Sequence, residues 1–339
     1  MANRIEINLG YPCNNNCLFC GEGENRRLYL KELMGCLTLE KVKEEILSFR
    51  QSGYDHITFL GGEPTIRKDF IEIVLYARTM GFKTIFLTTN GRMLSNKSFA
   101  RDAVEAGLTE ICLSLHGPTA EIHDLLTASK RSYDQVRAAM DNLAELGRRF
   151  STSTVITRPG APHLPELARL LLSYHPLRMI FSYPNVVGNA LDNFDTIVPI
   201  YTETMRFAVE SIELARQDEV MMTIGQAPFC VMEGYESYAD ILYWGGQLKR
   251  VVRKFKAREV EDGRVVDVHG KGKVKKPFCR QCRYWYICEG MEYQYEKRVG
   301  AGELTAIPGD QITDPEILKS QTYFYKQIEP DREKVIVKI

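Results

Sequence analysis

Residues 11–21 read Tyr11-Pro-Cys-Asn-Asn-Asn-Cys-Leu-Phe-Cys-Gly21, and this stretch holds three thiols within eight residues. It directly follows an alternating apolar run, Ile5 to Leu9, which predicts a β-strand. Such short spacing requires a loop wrapped around one metal centre. Because no histidine lies nearby, Cys13, Cys17 and Cys20 would leave one position of a zinc ion open. A four-iron cluster on the same thiolates would likewise keep one iron open for a substrate or cofactor.

Outward from this loop, the first half of the chain alternates short β-type runs with amphipathic helical stretches. The predicted strands are residues 5–9, 56–60, 84–88, 110–115, 151–156 and 178–182. The predicted helices are residues 38–52, 69–80, 97–106, 132–146 and 164–173. This rhythm predicts parallel strands with crossover helices, hence an α/β fold built as a partial (β/α)6 barrel. The active site of such a barrel lies at the carboxyl ends of its strands.

The rhythm changes after about residue 195, where residues 201–217 predict one long helix and residues 220–225 a further strand. Residues 259–267 predict a β-hairpin with its turn at Asp262-Gly263. We expect three parts: a core barrel at 1–215, a small β-hairpin and helix domain at 216–310, and a C-terminal tail at 311–339.

Composition limits the location and partners of the protein. The 339 residues include 44 Lys plus Arg and 44 Asp plus Glu, so no net charge steers the chain towards nucleic acid or an anionic membrane. The N-terminal residues lack the apolar core of a signal peptide, and no apolar run is long enough to span a membrane. We expect a cytoplasmic protein without membrane or nucleic-acid partners. In that compartment its nine cysteines favour metal binding over disulfides.

The C-x3-C-x2-C spacing resembles the defining motif of the radical S-adenosylmethionine (SAM) superfamily, with Phe19 at that family's usual aromatic position. The second predicted strand ends in Gly61-Gly62-Glu63-Pro64-Thr65, which resembles the family's GGEP element. Thr88-Thr-Asn-Gly91 and Ser114-Leu-His-Gly117, after the third and fourth strands, are similar to loops that frame SAM in relatives. Their order along the chain makes the resemblance specific.

The resemblance implies an enzyme whose [4Fe-4S] cluster binds SAM and cleaves it reductively to a 5′-deoxyadenosyl radical, which removes hydrogen from a substrate. A flavodoxin or ferredoxin type donor would supply the electron. By motif position, Phe19 lies against the adenine, Glu63 and the strand-end backbone meet the methionine amino group, and Ser114 contacts the ribose.

For several polar side chains near the predicted barrel mouth, the sequence alone allows two roles. Asn90 and Thr154 either contact SAM or satisfy backbone groups at strand ends. His116 either contacts SAM or substrate, or makes a loop hydrogen bond. Asn185 and Asn189, after the sixth strand, either contact substrate or form turns. The catalytic acid or base stays unassigned.

A second cysteine group, Cys279, Cys282 and Cys288, has the spacing C-x2-C-x5-C, and Cys230 upstream completes a set of four. The pattern resembles the SPASM and Twitch extensions of radical SAM enzymes, in which such cysteines bind an auxiliary [4Fe-4S] cluster. The next cysteine of a full SPASM domain would fall at Glu292, so the one-cluster Twitch form fits better. A structural zinc site is the alternative. A fully ligated cluster would relay electrons to or from a substrate radical.

For the substrate, the resemblance favours a ribosomally made peptide, because enzymes with these extensions often modify peptides. A leader-peptide recognition domain is not expected at the N-terminus, since the first strand begins near Ile5. A small molecule such as a nucleotide, sugar or cofactor precursor is therefore the alternative substrate. A non-catalytic iron–sulfur electron-transfer protein is the alternative from another functional class, against which the open three-cysteine site beside GGEP argues.

Overall fold

A single parallel sheet organises the computed structural model, which describes residues 4–23, 37–244 and 272–324. Seven strands lie in the order in which they follow one another along the chain. They are β1 (Arg4–Asn8), β2 (His56–Leu60), β3 (Thr84–Thr89), β4 (Glu110–Ser114), β5 (Ser151–Val155), β6 (Arg178–Ser182) and β7 (Met221–Gly225). All six neighbouring pairs are parallel, so every strand ends at the same edge. The predicted α/β barrel fold is confirmed.

Helices connect these strands, and further helices follow the last strand of the sheet. They are α1 (Leu39–Gln51), α2 (Phe70–Thr79), α3 (Lys97–Ala106), α4 (Ala120–Thr127), α5 (Ser132–Glu145), α6 (Leu164–Leu172), α7 (Asn189–Asp192), α8 (Phe194–Ile197), α9 (Tyr201–Gln217), α10 (Ile241–Trp244), α11 (Tyr293–Val299) and α12 (Glu316–Lys319). Side-chain caps begin two of them: Thr38 accepts from Lys41 N at α1, and Asn96 accepts from Phe99 N at α3. None of the described helices is long and apolar enough to cross a membrane.

Strand β7 extends the barrel sheet by one strand beyond the six predicted. It pairs with β6 from Arg178↔Met221 to Ser182↔Gly225, although its residues follow the predicted boundary at 215. Helix α9 is the crossover that brings the chain back to the sheet, and it packs on α6 and β7. The βα rhythm therefore continues through residue 225, with a longer helix than in the earlier units.

The C-terminal part contains a small antiparallel sheet and contacts the barrel through an aromatic pair. Strands β8 (Lys273–Val274) and β9 (Met291–Glu292) pair with each other, and α11 follows directly. The Tyr295 ring lies 4.5 Å from that of Tyr201, measured between centroids, at the start of α9. The hairpin predicted at residues 259–267 lies outside the described residues.

The two faces of the sheet differ in chemistry because successive side chains alternate between them. Ile5 and Ile7 are buried in the apolar core between sheet and helices. The intervening Glu6 and Asn8 face the inside of the barrel and are half-buried. The same alternation places Ser114 and Ser153, which are in register on β4 and β5, on the inner face. The barrel interior is consequently polar towards the carboxyl ends of the strands.

Charged side chains occupy the opposite, amino-terminal end of the barrel. Arg4, Glu110 and Arg178 begin β1, β4 and β6, and they influence one another electrostatically. Burial raises the pKa of Glu110 to about 7, against the opposing effect of the two arginines. The Arg4 guanidinium also lies 4.8 Å above the Phe86 ring. We refer to Arg4, Glu110 and Arg178 as the barrel floor.

Candidate functional site

The three-cysteine loop, residues 11–21, lies against the carboxyl end of β2. Gly62 N donates to Gly10 O at 2.7 Å, and Glu63 N donates to Pro12 O at 2.8 Å. A Cβ atom on Gly62 would stand 2.2 Å from Tyr11 O, and one on Gly61 would stand 2.4 Å from Gly10 O. Both glycines are thus required by the close approach of two backbones. The GGEP element fixes the entry into the cysteine loop.

The Glu63 side chain is buried and bonded entirely within the protein, with 3% of its surface exposed. One carboxylate oxygen accepts from Thr65 N at 3.0 Å, Thr65 Oγ1 at 2.5 Å and Thr89 Oγ1 at 2.7 Å. The other accepts from Asn90 N at 2.7 Å. Burial raises its pKa, and these four bonds oppose that shift. A carboxylate offers about four acceptor positions, so the protein fills the first oxygen and leaves one position on the second.

Residues at the end of β3 form hydrogen bonds with the first half of the cysteine loop. Asn90 Nδ2 donates to Asn14 Oδ1 at 2.7 Å and lies 3.8 Å from the Cys13 sulfur. Arg92 donates to Asn14 O and, at 3.0 Å, to Asn15 Oδ1. The Asn90 side chain thus contacts the cysteine loop around Cys13.

Helix α4 supports the middle of the loop. Asn16 N donates to Thr127 O at 3.0 Å, and Leu18 N donates to Leu126 O at 2.9 Å. Phe19 is buried in a small apolar cluster with Leu126 and Ile197. The aromatic residue of the motif is therefore held in place from the α4 side.

His116 lies edge-on to the Phe19 ring, with the ring centroids 4.6 Å apart. Its ring Nδ1 accepts the Val155 backbone N–H at 3.2 Å. The backbone N–H of His116 donates to His123 Nδ1 at 3.0 Å. Burial lowers the pKa of His116 well below its usual range, with His123 adding to the shift. The ring is therefore neutral, with its proton assigned to Nε2 because Nδ1 accepts. Among the described residues Nε2 makes no hydrogen bond, so it stays available to a ligand.

Ser114 and Thr154 occupy different environments although both lie in the sheet near its carboxyl edge. Ser114 is half-buried on the inner face, and its hydroxyl makes no hydrogen bond within the described part of the chain. Thr154 is fully buried and donates to Leu115 O at 2.6 Å. Ser114 can reach a ligand in the barrel mouth, whereas the Thr154 hydroxyl satisfies the β4 backbone.

The loop after β6 contacts the second half of the cysteine loop. Asn189 Nδ2 donates to Cys17 O at 2.8 Å, and Asn193 Nδ2 donates to Leu18 O at 3.1 Å. Asn189 is separated from Cys17 by 172 positions in sequence. Sequence reasoning expected Asn189 to contact substrate or form a turn, and it gave no role to Asn193 or Arg92. No local motif marks these three residues, because the loop that they contact is distant from them in sequence.

The second cysteine group surrounds a cavity between the end of β7 and the C-terminal part. Cys230, Cys279, Cys282 and Cys288 all line it, together with Phe229, Tyr284 and Trp285 among others. Its unfilled space is about 410 Å³, including space open to solvent. Burial, followed by the neighbouring Cys288, raises the pKa of Cys230 to about 12. Four thiols from two separate segments thus share one pocket.

The aromatic and charged residues near this cavity differ in their exposure and contacts. Tyr284 is buried and stacks on Phe229, with centroids 5.1 Å apart. Tyr286 is 62% exposed, so not every aromatic near the last cysteines shields the pocket. Glu292, where the sequence resemblance expects no further cysteine ligand, is buried, and its Oε1 lies 3.6 Å from Lys273 Nζ. An ion pair occupies that position in this chain.

Hydrogen bonds to sulfur occur at both sites. Asn15 N donates to the Cys13 sulfur at 3.4 Å, and Gly290 N donates to the Cys288 sulfur at 3.3 Å. Thiolate ligand sets of this kind suit iron–sulfur clusters or zinc, and N–H···S bonds tune cluster potentials. Within residues 4–23, 37–244 and 272–324, no three side chains of His, Cys, Asp or Glu converge enough to hold one metal ion.

Comparison with known proteins matches residues 7–171 to the radical SAM superfamily. Over 158 residues the chain is 28% identical to an AdoMet-dependent heme synthase of Oleidesulfovibrio alaskensis, covering 47% of this chain and 39% of that protein. Over 141 residues it is 33% identical to a probable GTP 3′,8-cyclase of Saccharolobus solfataricus, covering 40% of this chain and 43% of that protein. The chain thus spans about two fifths of these relatives.

Solved structures resemble a larger part of the chain. Streptococcus suis SuiB bound to S-adenosylmethionine superposes with a TM-score of 0.60 at 16% identity, covering 90% of this chain and 76% of that one. SuiB bound to the precursor peptide SuiA gives a TM-score of 0.57 over 90% of this chain and 75% of that one. At such identity the likeness concerns the fold. Residues 7–171, which contain the cysteine loop and the strand-end motifs, form a radical SAM superfamily domain.

Proposed function

We propose that this protein reductively cleaves SAM at the three-cysteine loop and removes hydrogen from a ribosomally made peptide, with an auxiliary cluster on Cys230, Cys279, Cys282 and Cys288 relaying electrons. The observation that carries the proposal is the tethering of one cysteine loop by the ends of β2 and β3, beside a separate four-cysteine pocket. A [4Fe-4S] cluster on the loop would supply the electron and the open iron that bind and cleave SAM.

The residues around the loop are proposed to contact different parts of SAM. We propose that the strand-end backbone at Gly61 to Glu63 meets the methionine amino group, because the Glu63 carboxylate already accepts four protein hydrogen bonds. Phe19 is proposed to lie against the adenine. Ser114, with its hydroxyl not engaged by the described residues, is the proposed ribose contact.

A peptide is the preferred substrate because the likeness to SuiB covers 90% of this chain and so reaches past the SAM domain. SuiB was solved with its precursor peptide bound, which supports the same substrate class here. The relatives found by sequence favour a second candidate, a small molecule, because their names concern a nucleotide and haem. That likeness lies within less than half of this chain. We further propose a cytoplasmic location and a flavodoxin or ferredoxin type electron donor.

The first test is anaerobic reconstitution, reduction and incubation with SAM. Formation of 5′-deoxyadenosine is expected, with about eight irons per chain if both sites hold [4Fe-4S] clusters. About four irons with zinc would instead assign the auxiliary site to zinc. Absence of 5′-deoxyadenosine, with or without an extract of the source cells, would contradict the enzymatic function.

The substrate test uses peptides encoded beside the gene. A matching precursor peptide should stimulate 5′-deoxyadenosine formation and change mass in the same reaction. Stimulation by nucleotides or porphyrins, with every such peptide unchanged, would favour the small-molecule alternative. A scrambled peptide of the same composition is the control for non-specific stimulation.

A further inference from the structure

The segment after β6 contacts the cysteine loop through three hydrogen bonds. Asn189 donates twice, from its backbone N to Cys20 O at 2.9 Å and from Nδ2 to Cys17 O at 2.8 Å. Asn193 donates from Nδ2 to Leu18 O at 3.1 Å. Three carbonyl groups between Cys17 and Cys20 are therefore held by the first turn of α7 and the residue after it. We call Asn189 and Asn193 the α7 clamp.

Two glycines make this contact possible, one on each side of it. Gly188 has φ of 56°, and a Cβ there would stand 2.5 Å from Gly21 O and 2.8 Å from Cys20 O. A Cβ on Gly23 would stand 2.0 Å from Asn189 Oδ1. A side chain at either position would push the α7 clamp away from the loop. The packing is consequently specific to this pair of backbones.

The clamp also completes the support of the loop. The β2 end, the β3 end and α4 hold residues up to Leu18 through backbone and side-chain hydrogen bonds. The β6 side contributes the contacts to Cys17 O, Leu18 O and Cys20 O given above, and Cys20 N and Gly23 N add local bonds to Cys17 O and Cys20 O. Since β1 and β6 lie near opposite edges of the sheet, these bonds connect its two edge regions.

We infer that Asn189, assisted by Asn193, is a positioning residue that fixes the carbonyl groups of the Cys17–Cys20 segment and thereby the geometry of the cluster on it. The inference rests on the proposed cluster at Cys13, Cys17 and Cys20. Outer-shell hydrogen bonds of this kind orient ligands, and their loss typically weakens metal retention by about 10–100-fold. Asn189 would act through the two cysteines without contacting SAM.

The test compares Asn189→Ala with Asn96→Ala in the reconstituted full-length protein. Asn96 caps α3, so its loss destabilises the protein without removing a bond to the loop. The readouts are the rate of iron release to a chelator and the electron paramagnetic resonance spectrum of the reduced cluster with and without SAM. N189A should release the SAM-responsive cluster about tenfold faster and alter its spectrum, whereas N96A should match the wild type in both.

Two further variants keep the inference falsifiable if N189A folds poorly. Asn193→Ala removes only the Leu18 O bond from the loop and should shift both readouts in the same direction by less. Asn189→Asp preserves size but sets a carboxylate oxygen against Cys17 O, so it should exceed the alanine effect. If all three clamp variants showed wild-type spectra and wild-type rates of iron release, the inferred role of the α7 clamp would be overturned. A wild-type protein without any SAM-responsive cluster would instead overturn the proposed function beneath it.

Discussion

The two cysteine sites are assembled in opposite ways. Cys13, Cys17 and Cys20 lie on one short loop, yet that loop is held by backbone and side-chain bonds from four other parts of the barrel. The second site takes Cys230 from one segment and Cys279 to Cys288 from another, and the fold forms the pocket itself. Sequence proximity brings the first thiols together, and tertiary packing brings the second ones together.

This difference has a functional meaning. A loop ligated by three cysteines needs outside support to keep its open position in a defined place. A pocket lined by four cysteines would supply every protein ligand of the proposed auxiliary cluster, and Phe229, Tyr284 and Trp285 also line it. The first arrangement suits a site that binds a small molecule, and the second suits a centre enclosed by protein.

The largest expected effect separates the two sites by removing one cysteine from each. Cys17→Ala should abolish 5′-deoxyadenosine formation, because the loop would retain only two of its thiol ligands. Cys282→Ala should retain SAM cleavage while product formation from substrate is lost, with iron falling from about eight to about four per chain. Iron analysis and chromatography of the nucleoside products measure both. Loss of SAM cleavage in C282A at full loop occupancy would show that the sites are not independent.

The next effect breaks the backbone contact that supports the loop. Gly62→Ala sets a methyl group 2.2 Å from Tyr11 O and 2.4 Å from Pro12 O. Overpacking against backbone should lower the free energy of unfolding by about 2–3 kcal/mol and reduce iron at the first site. Gly302→Ala is the control, since nothing lies within 4 Å of the added Cβ. Denaturant titration measures the free energy of unfolding, and iron analysis measures the content of the first site. Equal stability and equal iron content in the two variants would contradict the role of this contact.

A smaller effect concerns the buried carboxylate beside the loop. In Glu63→Gln, an amide NH2 group replaces one of the two carboxylate oxygens. In one orientation it faces the Asn90 N–H, and in the other it takes the place of the oxygen that accepts the three other hydrogen bonds. One donor left without an acceptor should cost about 2 kcal/mol of stability. Glu145→Gln, in an exposed ion pair with Lys97, is the matched control and should change little. If E63Q retained its stability but bound SAM much more weakly, Glu63 would contact the cofactor directly.

The effect with the least bearing on the two cysteine sites lies at the barrel floor. Glu110 has a folded-state pKa of about 7 against 4.5 in the unfolded chain, so the folded state binds its proton more tightly. Stability should therefore fall as pH rises from about 4.5 to 7, by up to about 3 kcal/mol, and then level off. Glu110→Gln should flatten this slope without changing iron at either site. Denaturant titrations from pH 5 to 8 test this, and parallel profiles of variant and wild type would contradict it.

Much of the fold could be predicted because its periodic signals are local. The strand ranges match the observed ones to within about two residues at each end. Helix α4 was missed, since its eight residues follow closely on the β4 loop. The assignment of β7 to the barrel also required the structure, because α9 is longer than the earlier crossovers and hides the continuing rhythm.

By itself, the sequence determined the order of the strands, the two cysteine groups and the strand-end glycines, because each depends on residues near one another along the chain. Only the tertiary structure decided that Glu63 is enclosed by donors, that Ser114 faces the barrel mouth while Thr154 does not, and that Asn189 holds the cysteine loop. These assignments depend on contacts between strand ends and loops up to 172 residues apart. Sequence periodicity gives the face of a strand, but hydrogen-bond partners across the barrel are set by how the strands are registered and closed.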